Sequence, residues 1–126
     1  MNTKNNASLD PEAIYAKGFE FYNAMELEEA AKVFGIAYAM DMFSVKYGKA
    51  FALTNFYLGE YEVAENVFNL LYFLESGSER LDFQCYKAIC RSKLGDNSEL
   101  EEAYSYRESL SPEASRMVEK EYTYYE

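Results

Sequence analysis

The chain has 126 residues and a formal net charge of −10, from 22 acidic side chains against 12 basic ones, with no histidine. This length suits one domain with a buried core, and the negative charge disfavours binding to nucleic acids or to anionic membranes. The lack of histidine excludes the usual catalytic triads, most zinc sites and most proton shuttles. We therefore expect a protein that is not an enzyme and has no cofactor and no metal.

Apolar residues recur at spacings of three and four, and no alternating pattern lasts long enough for a strand, so the sequence predicts an all-α fold. The polar segment 1–9 predicts a flexible tail. Asp10 and Pro11 then form a helix start, with an N-cap side chain followed by proline at the first helical position. Predicted helices cover about 12–24, 27–40, 46–58, 61–75, 80–94 and 98–109, and a last helix covers 111–122.

A repeat is visible when FYNAMELEEAAKVF (21–34) is aligned with NFYLGEYEVAENVF (55–68). Met25 pairs with Gly59, and Ala30 and Phe34 pair with Ala64 and Phe68, all 34 residues apart. This is the period of the tetratricopeptide helical hairpin. A weaker third copy, displaced by two residues, follows. The sequence predicts one domain over 10–126, with repeats at about 11–44, 45–78 and 81–112 and a cap at 112–126. The three hairpins are expected to stack as a short right-handed solenoid.

The paired alanines and phenylalanines of the repeat are interpreted as packing residues. Ala30 and Ala64 leave room for close helix crossings, and Phe34 and Phe68 lie one turn further along the same faces. These four residues are expected to form the fold and to have no direct part in function.

The first helix of each tetratricopeptide hairpin presents its positions 2, 5, 9, 12 and 13 to a concave groove. With the first repeat framed on Pro11, those positions are rich in aromatic residues, a composition typical of a partner site. For each aromatic residue taken singly, the alternative is a place in the core. The predicted peptide-binding groove consists of Tyr15, Phe19, Tyr22, Lys46, Lys49, Leu53, Phe56, Tyr57, Cys85 and Ile89.

Cys85 and Cys90 are five residues apart, which fits neither a CxxC motif nor a structural zinc set. We expect two free thiols, as in proteins of a reducing cytoplasm. The N-terminal MNTKNNASLDPE lacks the apolar core of a signal peptide, and no apolar run reaches the ~20 residues of a membrane span. These patterns predict a soluble cytoplasmic protein.

The segments YAKGFEFYNAMELEEAAKVF (15–34) and LGEYEVAENVF (58–68) resemble the tetratricopeptide chaperones of bacterial type III secretion. This resemblance implies a bacterial cytoplasmic virulence protein that keeps a secreted translocator or effector soluble and competent for export. It implies a groove that binds an extended hydrophobic segment of this client, without nucleotide, and places Tyr15, Phe19, Tyr22, Phe56 and Tyr57 among the groove aromatics. The alternative is a general tetratricopeptide adaptor between proteins. A homodimer is left open, because only ten residues precede the first repeat.

Overall fold

A computed structural model describes residues 10–125, with side chains through residue 124. The segment 1–9, for which a flexible tail is predicted, lies outside the described residues. Between residues 10 and 125 the chain forms α-helices and no strand, so the all-α prediction is confirmed. The helices are α1 (Pro11–Asn23), α2 (Leu27–Met40), α3 (Val45–Tyr57), α4 (Tyr61–Leu74), α5 (Glu79–Lys93), α6 (Leu100–Ser105) and α7 (Pro112–Tyr125).

The chain forms two compact units, one extending to Gly59 and the other beginning at Glu60. In the first unit α1 packs on α2 and α2 packs on α3. In the second unit α4 packs on α5, and α5, α6 and α7 pack on one another. The boundary falls inside the predicted second repeat, and the single domain with its repeat bounds stays a prediction.

Three helices, α1, α3 and α7, begin with a side chain that caps a backbone N–H group. The Asp10 carboxylate accepts a hydrogen bond from the Glu12 backbone N–H at 3.1 Å. The Ser44 hydroxyl accepts one from the Tyr47 N–H at 3.2 Å, and the Ser111 hydroxyl accepts one from the Ala114 N–H at 3.3 Å. Each side chain satisfies a backbone donor that has no partner inside its helix.

Three helices end with a residue in the left-handed conformation, at Met25 (φ 63°), Gly59 (φ 82°) and Gly95 (φ 101°). After α1, the N–H groups of Met25 and Glu26 donate to the carbonyls of Tyr22 and Phe21 at 3.0 and 2.9 Å. This pair of bonds is the Schellman ending of a helix. Met25 and Gly59 are a pair that the 34-residue alignment matches, and both have the same left-handed backbone conformation.

The sixth helix is shorter than predicted. It begins at Leu100, because the Asp96 carboxylate accepts the Ser98 N–H at 3.0 Å and forms a turn before it. It ends at Ser105, whose hydroxyl donates to the Glu102 carbonyl at 2.6 Å, and a 3₁₀ turn covers Arg107–Ser109. Short polar side chains that bond nearby backbone groups compete with helix extension in this way.

The packing residues of the repeat are buried as predicted, because Ala30, Phe34, Ala64 and Phe68 have no exposed surface. In the second unit, Phe68 stacks on Tyr86 with ring centroids 5.2 Å apart. Large aromatic rings therefore supply much of the buried apolar area that holds these helices together.

Candidate polypeptide-binding site

The structure brings three predicted groove residues of α1 together in one row, which we call the aromatic face: Tyr15, Phe19 and Tyr22. Tyr15 and Phe19 meet edge to face, with centroids 4.9 Å apart and an interplanar angle of 86°. Phe19 and Tyr22 are 6.0 Å apart at 69°. Their spacing of three and four residues places them on one side of the helix.

The aromatic face rests on buried rings. Phe34 of α2 lies 5.0 Å from Phe19 and 5.8 Å from Tyr15, and Tyr47 of α3 lies 5.3 Å from Tyr15. Phe19 is nevertheless 36% exposed, and Tyr15 is partly exposed. Each of these two rings therefore has one side in the core and another side open to solvent. A rigid apolar surface of this kind can contact a partner without first becoming ordered.

A charged group marks the end of the aromatic face near the start of α1. The Lys46 ammonium donates a hydrogen bond to Glu12 Oε2, and the Tyr47 hydroxyl donates to the same oxygen at 2.7 Å. The Lys46 nitrogen also lies 5.0 Å from the centroid of the Tyr15 ring, within the range of a cation–π interaction. Lys46, predicted as a groove lysine, therefore already has an acidic partner in its own unit.

These contacts shift the pKa values of Glu12, Lys46 and Tyr47. The hydrogen bonds from Lys46 and Tyr47 lower the pKa of Glu12, and the bond to Glu12 raises the pKa of Lys46. The same carboxylate, together with burial, raises the pKa of Tyr47 to about 12. The ion pair therefore stays charged throughout the neutral range.

The remaining groove residues of the first unit lie on α3. Lys49, Leu53 and Tyr57 are partly exposed, while Phe56 is 4% exposed. The rings of Phe56 and Tyr57 meet edge to face at 5.7 Å. Phe56 is therefore buried in the core, which is the alternative to a groove position for this residue.

In the second unit, α7 lies on the side of α5 that corresponds to the groove positions. Asp82 accepts the Ser111 N–H at 2.9 Å, and the Cys85 sulfur contacts the Ala114 carbonyl at 3.7 Å. Cys85 and Ile89 are 0% and 1% exposed. Their prediction as groove residues assumed an open face on α5. With these side chains buried, we restrict the candidate site to the first unit.

Polar contacts also join α5 to α7 near the C-terminal end of α5. The Ser92 hydroxyl lies 3.0 Å from Glu121 Oε2, and Lys93 forms an ion pair with Glu121 Oε1 at 2.9 Å. Glu121 is only 4% exposed. The C-terminal helix is thus bound to α5 along most of its length.

A second apolar surface in the first unit was not predicted. It lies at the end of α2 and in the turn before α3, and we call it the α2–α3 patch: Ile36, Met40, Met42 and Phe43. Phe43 is 79% exposed and Ile36 is 53% exposed. The sequence signal was the run of two apolar residues, Met42 and Phe43, between two predicted helices, where polar turn residues are the norm.

Among the helices of the described chain, none is both long enough and apolar enough to cross a membrane. Comparison with protein-family models found no match, and comparison with curated protein sequences found none either.

Proposed function

We propose that this protein is a tetratricopeptide-like chaperone that binds an extended hydrophobic segment of another polypeptide. The observation that carries the proposal is the aromatic face, where Tyr15 and Phe19 are backed by the buried Phe34 and still exposed. Tyrosine and phenylalanine supply large contact areas at little cost in side-chain entropy, and anchors of this kind dominate binding energies.

In this proposal, the client is a secreted translocator or effector of bacterial type III secretion, held in the cytoplasm before export. The proposal includes the arrangement expected from the sequence, three hairpins in a short right-handed solenoid with a C-terminal cap. The net charge of −10 supports a solubilising role, because like charges keep loaded complexes apart. No chemical step is required of the protein, and the proposal needs neither nucleotide nor metal.

The first test measures binding and folding side by side. Phe19→Ala and Tyr22→Ala should weaken binding of a fluorescent apolar peptide about 10- to 100-fold, the effect of removing one good anchor. Thermal melts of the same variants measure folding. Retention of an aggregation-prone client after co-expression measures the chaperone activity itself.

Phe43→Ala is the matched control, because it removes one ring from the α2–α3 patch of the same unit. Phe43 is 79% exposed, so the variant should fold normally and bind the peptide as the unmodified protein does. If the aromatic-face variants remain folded and bind with unchanged affinity, the proposed site is wrong.

A second candidate function is a tetratricopeptide adaptor that joins two proteins. The α2–α3 patch favours it, because an adaptor needs a second surface for a second partner. Loss of binding in Phe43→Ala, together with normal binding in Phe19→Ala, would favour the adaptor over the chaperone.

A further inference from the structure

Glu12 and Lys46 occupy equivalent positions of the first two predicted repeats, 34 residues apart, and carry opposite charges. The first lies in the opening turn of α1 and the second in the opening turn of α3. Their ion pair is joined by the Tyr47 hydroxyl, which donates to the same Glu12 oxygen at 2.7 Å. The pair therefore connects the two helices at one end of the aromatic face.

The Lys46 ammonium is the cation that a client carboxylate would be expected to bind at this end. Its nitrogen lies over Tyr15 at 5.0 Å and over Tyr47 at 5.5 Å, and Glu12 accepts its hydrogen bond. An acidic side chain of the client would have to compete with Glu12 for the ammonium. Its approach would also place two carboxylates close together, which is unfavourable.

Two further carboxylates act at this end of the face. Asp10 and Asp41 act electrostatically on Tyr47, in addition to Glu12, while Lys49 acts on Tyr15, in addition to Lys46. The acidic groups around Tyr47 favour the approach of a cationic group and disfavour that of an anionic one.

We infer that Glu12 determines specificity at the aromatic face: by neutralising Lys46, it makes the site accept apolar segments with basic or uncharged flanks and reject those with acidic flanks. This inference rests on the proposed function, because it concerns the segment bound at the same site. It narrows the client to an apolar stretch whose flanking residues are basic or uncharged.

A purely structural role for the pair predicts a different result. The side chains of Lys46 and Glu12 are 51% and 57% exposed, and exposed ion pairs contribute little to folding. Glu12→Gln should therefore melt within a few degrees of the unmodified protein. If the pair had only a structural role, Glu12→Gln would not change which peptide binds most tightly.

The experiment uses three synthetic peptides with one shared apolar core and with lysine, glutamine or glutamate on both sides. The unmodified full chain should bind the lysine and glutamine peptides at least about fivefold more tightly than the glutamate peptide. Glu12→Gln should strengthen binding of the glutamate peptide about fivefold, because Lys46 loses its acidic partner. Raising the salt concentration should reduce both differences, since exposed charges are screened.

Two further variants isolate the effect. Glu12→Gln combined with Lys46→Met should lose the gain for the glutamate peptide, because the released cation is then missing. Glu29→Gln removes an equivalent exposed acid, which pairs with Lys32 at 3.4 Å within α2, and it should leave the peptide preference unchanged.

The outcomes separate the inference from the function on which it rests. If the peptides bind at the aromatic face but Glu12→Gln leaves their order unchanged, the inference is wrong and the proposed function stands. An equal shift in Glu29→Gln also overturns the inference, because net charge would then be the cause. If no peptide binds the unmodified chain, both the function and the inference fail.

Discussion

The backbone of Gly18 lies against the ring of Phe34 so closely that a Cβ atom at residue 18 would be 2.4 Å from Phe34 Cε1. No real Cβ contact is this short, and the Phe34 ring cannot easily move, because it is fully buried beneath Tyr15 and Phe19. The Phe34 ring, which supports the aromatic face, can therefore pack here only because residue 18 has no side chain.

Gly18→Ala should accordingly destabilise the protein by about 1–3 kcal/mol, the usual cost of overpacking a core. Urea unfolding measures the loss. The matched control is Gly35→Ala, where the added Cβ would lie 3.0 Å from the partly exposed Phe51 ring, so that the helical gain of alanine offsets much of the strain. A Gly18→Ala protein as stable as the unmodified chain would contradict this account of the packing.

Met25 is the one non-glycine residue with a positive φ in the described chain. A left-handed conformation costs a residue with a side chain about 1–2 kcal/mol, and glycine loses about 0.5–1 kcal/mol of backbone entropy instead. Met25→Gly should therefore raise the free energy of unfolding by about 0.5–1 kcal/mol, as measured by denaturant titration.

Gly59→Ala is the reverse experiment, because residue 59 has the same role and nothing lies within 4 Å of the added Cβ. It should destabilise the protein by about 1 kcal/mol through the backbone alone. If both substitutions act in the same direction, the left-handed endings are not the source of the effect.

Both cysteines are free and buried, and burial raises the pKa of each thiol from 9.0 to about 12. Because the thiolate is the reactive form, neither should react with a disulfide reagent at pH 8 while the protein is folded. After denaturation without reductant, two thiols should react. Rapid labelling of the folded protein would show that the second unit opens far more often than its packing indicates.

The same pKa shifts predict how stability depends on alkaline pH. A thiol whose pKa is raised on folding holds its proton more tightly in the folded state, so its contribution is complete below pH 9.0 and is lost as pH rises towards about 12. Tyr47, with a pKa raised to about 12, acts with the same sign above its usual value of 10.0. The urea midpoint should fall steadily over this window, and less steeply in a Cys85→Ala/Cys90→Ala variant. An equal slope in the two proteins would assign the effect to other groups.

Glu121 attaches the C-terminal helix through Ser92 and Lys93, and it is almost completely buried. Glu121→Ala removes both contacts and should cost about 1–3 kcal/mol. Hydrogen exchange should show weakened protection in α7 before the rest of the second unit. Glu119→Ala, on the same helix, removes a 53% exposed carboxylate and should cost less than about 1 kcal/mol. Equal effects of the two variants would contradict the anchoring role of Glu121.

Local signals in the sequence were enough to predict most of the helices. The apolar spacings of three and four, and the cap and proline at Asp10 and Pro11, act within a turn or two of chain, so they can be recognised without the fold. The aromatic face was predictable for a similar reason, since Tyr15 and its neighbours share one helical side. Ser105 was missed because a serine inside a predicted helix gives no sign that its hydroxyl will bond the preceding turn.

The contacts between distant segments could not be predicted in this way. Asp82 and Ser92 have the polarity of a solvent-exposed helix side, and only the packing of α7 shows that they bind another helix. Likewise, Glu12 and Lys46 each look like ordinary surface charges, and their pairing requires that α1 and α3 lie side by side. Long-range contacts of this kind depend on the three-dimensional arrangement, which a periodic pattern does not specify.

The polar contacts between α5 and α7 also fix the register of the C-terminal helix. An apolar stripe alone would let a helix slide by one turn, about 5.4 Å, with little change in buried area. Here a slide would carry Glu121 away from Ser92 and Lys93 and leave a buried carboxylate without a partner, which is strongly unfavourable. The C-terminal helix can therefore dock in one position only, and a helix from another protein could replace it only by reproducing the same spacing of polar groups.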